Sequence, residues 1–171
     1  MKNRLISPLL LALLLSGCGL TQSVSDGTKS VAKSIFYKQV KTLHLDFVAR
    51  AELNPDDDGT PLATNVWVYQ LKEPQAFEKA DYTTLLSNAS NVLKADLLAE
   101  KDVWIRPGSN ASVTMPMEEN AQFLAIVAQF RTPDNQKGSW RIILKRNELD
   151  PDKARVIELE KSAMRLLTAD K

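Results

Sequence analysis

The chain has 171 residues, a formal net charge of +1, one histidine and one cysteine. A charge this close to zero provides neither the basic footprint of a nucleic-acid-binding protein nor a polybasic membrane patch. One histidine and one cysteine are also too few for a zinc or iron centre, so neither metal nor cofactor is expected.

The N-terminus contains a short apolar run that is followed by the only cysteine of the chain. Lys2 and Arg4 supply positive charge, Leu9–Leu15 is a short apolar run, and small residues precede Cys18. This order is typical of a secretory signal, and the run is far shorter than the roughly 18 residues of a membrane-spanning helix. Because it ends in Leu-Ser-Gly-Cys, it resembles a bacterial lipobox, in which the cysteine is lipidated and the chain is cut before it. We predict removal of residues 1–17; an ordinary signal peptide is the alternative.

Acylation of Cys18 anchors a protein to a membrane without a spanning segment. A single acyl chain binds only marginally, whereas a triacylated cysteine passes the threshold for stable attachment. Gly19 follows Cys18 where aspartate would retain a lipoprotein at the inner membrane of enteric-type bacteria, so the outer membrane is favoured. The mature chain of 154 residues loses Lys2 and Arg4, which takes its charge from +1 to −1, and it suits one domain with a hydrophobic core. With Cys18 lipidated, no disulfide forms.

The segment 18–39 is predicted to be a lipidated N-terminus and tether. Residues 19–29 are small and polar, which is typical of a linker. Apolar residues near helical spacing indicate a short helix over 29–38.

A strand, a loop and a second strand follow. Apolar and polar residues alternate from Leu43 to Leu53, which predicts a half-buried strand. The segment 54–64 contains two prolines, a glycine and three consecutive aspartates, so it is predicted to be a loop. Val66–Leu71 is rich in β-branched and aromatic residues and is predicted to be the next strand.

Helical spacing then interrupts the strands over about 74–99, where we predict one or two short helices with Asp81 as a cap. Strands are predicted again at 102–106, 112–117, 123–127 and 140–145, and the continuous apolar run Phe123–Val127 is typical of a central strand. The tail, 155–167, favours two short strands over one helix. Seven or eight strands in one domain over 40–171 indicate a mainly β protein, a two-sheet β-sandwich with a helical insertion.

The candidates for catalysis are weak. His44, the sole histidine, lies on the polar face of a predicted strand, and no nucleophile elbow is present. Asp56 to Asp58 lie in a predicted exposed loop, where all three should stay ionised rather than act as a general acid–base pair. Trp67, Trp104 and Trp140 are predicted to pack in the core or at a sheet edge rather than to form a ligand cage.

The aspartate-rich loop has two other interpretations. Asn54, Asp56, Asp58 and Gly59 resemble the first half of a calcium-binding loop, but Asn65 stands where a bidentate glutamate is required. A long charged loop at one end of a rigid sandwich also suits recognition of a protein partner, with the carboxylates setting orientation and association rate.

Several separated segments resemble one family, the outer-membrane lipoproteins of type VI secretion systems (the TssJ family). The resemblance spans about residues 40–145 and rests on these segments: Val68-Tyr69-Gln70-Leu71 followed by Phe77, Asp81-Tyr82 with Leu85-Leu86, Asp96-Leu97-Leu98, Arg106-Pro107-Gly108, Val127-Ala128-Gln129-Phe130-Arg131, and Trp140-Arg141.

That resemblance implies a transthyretin-like sandwich without enzymatic activity on the periplasmic side of the outer membrane. It implies binding to the periplasmic domain of the inner-membrane protein TssM, largely through the loop between the first two strands. TssL is implied to belong to the same complex. Here the loop residues are Asn54, Pro55, Asp56, Asp57, Asp58, Gly59, Thr60, Pro61 and Leu62. The alternative function is that of a periplasmic ligand-binding lipoprotein, which requires an apolar pocket.

Overall fold

The computed structural model describes residues 39–168. The predicted signal peptide, Cys18, the tether and the predicted helix over 29–38 lie outside the described residues. The elements are β1 (Thr42–Ala49), β2 (Thr64–Leu71), α1 (Gln75–Lys79), α2 (Tyr82–Val92), β3 (Leu97–Ile105), β4 (Asn110–Pro116), β5 (Phe123–Ala128), β6 (Arg141–Lys145), a 3₁₀-helix (Arg146–Glu148), β7 (Arg155–Leu159) and β8 (Met164–Leu166).

The strands form two four-stranded sheets, which confirms the predicted β-sandwich. Sheet A has the order β4-β1-β7-β8, and sheet B has the order β3-β2-β5-β6. All pairs are antiparallel except β1 and β7, which run parallel. The tail forms two strands, β7 and β8, so the helical alternative for residues 155–167 is wrong.

The core lies between the sheets, where the alternating residues of β1 point inward. Leu43, Leu45 and Phe47 are buried, while the intervening residues are only partly covered. β5 is covered on both sides, as its continuous apolar sequence predicted. Gln70 is fully buried and joins the two sheets, because its Nε2 donates to the Pro116 carbonyl (2.8 Å) and its Oε1 accepts from the Glu118 N–H (2.7 Å).

Two strand boundaries differ from prediction by four residues or more, and the other differences are smaller. β1 ends at Ala49 instead of Leu53, because the Leu53 N–H donates back to the Arg50 carbonyl (3.2 Å) and the chain turns there. β3 begins at Leu97, not at residue 102, because Leu97 pairs across a bulge with Leu71. Leu97 therefore belongs to the sheet although its spacing fitted the helical pattern.

The two helices cover part of the outer face of sheet B. Asp81 caps α2 as predicted: its carboxylate accepts from the Thr84 N–H (2.9 Å), and this bond lowers the pKa of Asp81. The Arg141 guanidinium holds the C-terminal end of α1 by donating to the carbonyls of Phe77 (3.1 Å) and Ala80 (3.0 Å). No helix within residues 39–168 has the length and apolar character needed to cross a membrane.

Candidate functional site: the loop between β1 and β2

Residues 50–63, hereafter the β1–β2 loop, lie at one end of the sandwich beside three other connections. The Arg50 carbonyl accepts from the Gly108 N–H of the β3–β4 turn (3.1 Å). The Asn54 N–H donates to the Lys161 carbonyl between β7 and β8 (2.8 Å), and the Asn54 side chain reaches the segment after β5. These contacts fix the loop to its neighbours.

The base of the loop is anchored in the core. Leu53 is 0% exposed, and its carbonyl accepts from the Leu62 N–H (3.1 Å), which closes the loop. An apolar anchor and a backbone bond across the neck both reduce the freedom of the intervening residues.

Asn54 is a structural residue. It is 6% exposed and has a φ of 46°, a left-handed conformation that asparagine tolerates better than most residues. Its Oδ1 accepts from the Arg131 N–H (2.8 Å), and its Nδ2 lies 3.4 Å from the carbonyls of Ala63 and Gln129. The side chain therefore joins both ends of the loop to the segment after β5.

Asp56 also points back into the loop. Its Oδ1 accepts from the N–H groups of Asp58 (3.0 Å) and Thr60 (2.8 Å), and its own N–H donates to the Thr60 carbonyl (2.9 Å). The turn continues through Gly59, which has a φ of 84°, a conformation that strongly favours glycine. Asp56 thus shapes the turn that presents its neighbours.

The tip of the loop, residues 57–61, is exposed. Asp57 has a side chain that is 91% exposed and lies 3.4 Å from the Arg131 guanidinium. Within residues 39–168, no hydrogen bond or ion pair engages the Asp58 carboxylate. The tip therefore presents negative charge on a hydrogen-bonded frame.

The nine predicted loop residues divide into three groups by burial. Asn54 is buried, Pro55, Asp56 and Leu62 are half-buried, and residues 57–61 face solvent. Sequence reasoning did not assign a role in the loop to Arg131, although Arg131 belongs to the Val127–Arg131 segment that carried the family resemblance. In the structure this segment bonds to Asn54 through the Arg131 backbone N–H and contacts Asp57 through the Arg131 side chain.

The calcium interpretation meets a chemical obstacle. Two of the oxygens that would serve as ligands, Asn54 Oδ1 and Asp56 Oδ1, already accept backbone hydrogen bonds. Across residues 39–168, no group of three or more metal-ligating side chains occurs. The segment is a turn held by the side chains of Asn54 and Asp56.

A buried carboxylate lies beneath the start of the loop. The Glu158 side chain is 4% exposed and contacts the guanidinium groups of Arg50 (2.5 Å) and Arg165. The hydrogen bond from Arg165, with the positive charges of both arginines, holds the pKa of Glu158 below its usual value. The carboxylate therefore stays ionised at neutral pH and joins the loop to β8.

The other predicted residues form no hydrogen bond or ion pair with loop residues 54–62 among the described residues. The Nδ1 atom of His44 lies 3.3 Å from the Thr114 hydroxyl on the outer face of sheet A, while the Ser112 hydroxyl donates to Asp46 (2.6 Å). Trp140 is buried, as predicted. Trp104 lies in the edge strand β3, which agrees with the predicted sheet-edge position, but its side chain is 64% exposed and is therefore not packed in the core.

Among the described residues, a cleft between α2 and sheet B is one feature that a ligand-binding protein could use. It encloses about 230 Å³ and is lined in part by Trp67, Tyr69, Leu85 and Glu100. Ligand pockets usually enclose about 300–1,000 Å³ and surround their ligand. This cleft is smaller and open to solvent.

The fold and site define a β-sandwich with a helical insertion and one braced acidic loop. Comparison with known proteins gives the family: the type VI secretion lipoproteins (T6SS-SciN; VasD, EvfM, TssJ) match residues 41–162. The chain belongs to this family of type VI secretion lipoproteins, which confirms the resemblance drawn from the sequence. No curated protein sequence gives a significant match.

Solved structures agree with this membership. A chain of the structure described as "Type VI membrane complex" is 42% identical, with a TM-score of 0.73, and the match covers 76% of this chain and 100% of that chain. A chain of the structure described as "T6SS protein TssM C-terminal domain (869-1107) from EAEC" is 41% identical, with a TM-score of 0.70 and the same coverage. Serratia marcescens Lip, described as a membrane bound component of the type VI secretion system, is 22% identical over 75% of this chain and 98% of Lip; its TM-score of 0.66 shows a shared fold.

Proposed function

We propose that this lipoprotein is a non-catalytic scaffold of the type VI secretion membrane complex. Acylated Cys18 anchors it to the periplasmic face of the outer membrane, and the loop residues 54–62 bind the periplasmic domain of TssM. TssL associates only indirectly, through TssM. The observation that carries this proposal is the pre-organised loop, whose base is buried and whose acidic tip is exposed.

Pre-organisation favours partner binding because a loop already held in one conformation loses little entropy when it binds. Asn54 and Asp56 supply the internal bonds, so the tip does not need to order itself on contact. The contribution of Asp57 and Asp58 is then mainly electrostatic, and a basic patch on TssM is the complementary surface.

The comparison with the TssM structure supports the same partner. The match includes the whole of the other chain and 76% of this 171-residue chain. The matched chain is therefore about 130 residues long. The range 869-1107 named for the TssM domain is about 240 residues long. The matched chain is too short to be that whole fragment, which supports a lipoprotein chain beside TssM in that structure.

The absence of enzymatic activity is part of the proposal. His44 contacts a threonine hydroxyl on an open sheet surface, and the serine near it donates to Asp46 instead. This arrangement lacks the serine–histidine contact that nucleophilic catalysis by such a pair requires.

The direct test replaces Asp57 and Asp58 together by asparagine and measures binding to the periplasmic domain of TssM. Removal of two exposed charges should weaken binding roughly fivefold to tenfold at low salt, with a smaller effect at high salt because exposed pairs are screened. Glu119→Gln, at the opposite end of the sandwich, removes one exposed charge and should bind like the wild type. An affinity that is unchanged at every ionic strength would remove these carboxylates from the interface.

The anchor is tested separately with Cys18→Ser. This variant should leave the membrane fraction and still bind TssM in solution, because the β1–β2 loop is unaffected. Secretion by the system should be lost. A variant that still fractionates with membranes would contradict the lipid anchor.

A further inference from the structure

Trp104 is the one exposed large hydrophobic side chain within residues 39–168, at 64% exposure. It lies near the end of β3, which forms one edge of sheet B. Single exposed hydrophobic residues are common on soluble proteins. Whether Trp104 belongs to a binding surface therefore depends on the side chains around it.

Strand register brings two carboxylates onto the same face as Trp104. Asp102 and Glu100 precede it at alternate positions of β3, so all three side chains share one side of the sheet. Trp104 lies opposite Asn65 in β2, and Asp102 lies opposite Trp67. The five residues Asn65, Trp67, Glu100, Asp102 and Trp104 are hereafter the β3 patch.

Asn65 points toward the carboxylate of this patch. It is 6% exposed, and its Nδ2 donates to Asp102 Oδ2 (3.3 Å). Its buried Oδ1 has no hydrogen-bond partner among the described residues. Asp102 thus accepts a hydrogen bond from the buried amide of Asn65, whose own oxygen has no donor among the described residues. A buried amide oxygen without a donor is uncommon for an asparagine with a purely structural role.

The negative charge of the β3 patch is not neutralised by its neighbours. Lys101 lies between the two acidic residues, but its Nζ donates to the Thr114 carbonyl of β4. Glu100 and Asp102 form no ion pair within the described residues. Burial raises the pKa of the neighbouring Tyr69 to about 12, and the charges of Glu100 and Asp102 add to the shift.

We propose that the β3 patch binds an arginine or lysine side chain carried by an extended segment of a partner protein. The cation stacks on the Trp104 indole, the best aromatic acceptor for a cation, and pairs with Asp102. The outer edge of β3 has no strand partner among the described residues, so the segment's backbone pairs there as an added strand.

The patch chemistry favours a basic protein segment over a lipid surface. Peripheral proteins that bind anionic bilayers combine aromatic residues with lysine and arginine, which the lipid attracts. The β3 patch combines its tryptophans with two carboxylates, which an anionic bilayer repels. None of its residues belongs to loop residues 54–62, so this proposal goes beyond TssM binding by the loop and does not require it.

The test is an NMR titration of the ¹⁵N-labelled full-length chain in detergent micelles. The probe is the capped hexapeptide Thr-Val-Arg-Val-Arg-Thr, and its control has citrulline in place of both arginines. We expect saturable shifts of the Trp104 indole N–H, identified with Trp104→Phe, and of the Asn65 and Asp102 amides. The citrulline peptide should bind at least fivefold more weakly, because it keeps the shape of arginine and loses the charge.

Variants connect the titration to the patch. Trp104→Ala and Asp102→Asn should each weaken peptide binding about fivefold. The double variant Asp57→Asn/Asp58→Asn and the distant Glu119→Gln should bind the peptide like the wild type, which separates this surface from the loop. The proposal is overturned by the absence of saturable shifts, by equal binding of the citrulline peptide, or by the same shifts with phosphatidylethanolamine–phosphatidylglycerol vesicles.

Discussion

The base and the tip of the β1–β2 loop use the same residue types for different purposes. At the base, Asn54 and Asp56 accept backbone hydrogen bonds and fix the course of the chain. At the tip, Asp57 and Asp58 face solvent. Three consecutive aspartates therefore do not act as one acidic cluster, because the first is part of the frame that presents the other two.

The largest loss of stability should come from changing Leu53, the buried residue at the base of the loop. Replacing Leu53 by alanine should reduce the free energy of unfolding by about 2–5 kcal/mol, the usual cost of a cavity at a fully buried leucine. Chemical denaturation with a fluorescence readout measures the change. The half-buried Leu62→Ala should cost clearly less, and a loss below about 1 kcal/mol for Leu53→Ala would show that the loop is not anchored in the core.

The second prediction concerns Asn54. Asn54→Ala should destabilise by about 1–3 kcal/mol, because the Arg131 N–H in a part-buried hydrogen bond loses its acceptor and alanine must adopt the left-handed backbone conformation. Asn54→Gly keeps the backbone conformation and loses only the side-chain bonds, so it should fall between wild type and alanine in thermal unfolding. A glycine variant as stable as wild type would mean that those bonds contribute nothing.

The third prediction separates the neighbouring aspartates. Asp56→Ala should cost about 0.5–2 kcal/mol, as for the loss of a side chain that caps backbone N–H groups. Asp57→Ala and Asp58→Ala should unfold within about 0.5 kcal/mol of the wild type, as is usual for exposed residues. Equal losses at all three positions in a denaturant series would refute the division into base and tip.

The smallest effect should be the pH dependence contributed by Glu158. Its pKa is lowered in the folded protein, so the ionised form stabilises the fold above the unfolded-state pKa, and this contribution is lost as pH falls through the folded pKa. Glu158→Gln should therefore lower the melting temperature at pH 7 and approach the wild type in strong acid. A difference that stays constant from pH 7 to pH 3 would show that the arginines act through packing alone.

Much of the fold was predictable because local patterns record burial. Alternation identified β1, the continuous apolar run identified β5 as a central strand, and helical spacing with Asp81 identified α2. The boundary errors have the same source. Alternation continues through Ala51 to Leu53 in the sequence, but a turn at Arg50 exposes Ala51 and sends Leu53 into the core from a different direction.

The sequence predicted which segment forms the candidate site, but not what each residue does in it. Composition located a proline-bracketed acidic loop, and the family resemblance selected the same segment. Neither indicated that Asn54 would be buried or that Arg131 would contact the loop, because these residues are 77 positions apart in the chain. Likewise, the sequence around Trp104 does not distinguish this exposed residue from the covered residues near it.

Local sequence patterns were sufficient to specify the strands, the helical insertion and the family, because residues on the buried face of a strand or helix recur at a fixed spacing along the chain. Packing of distant segments decided which aspartate turns inward, which tryptophan stays exposed, and how Asn54 bonds to the segment after β5. Those outcomes depend on which backbone N–H groups and sheet edges come together in the folded chain. Such long-range contacts cannot be predicted from the sequence of a single segment.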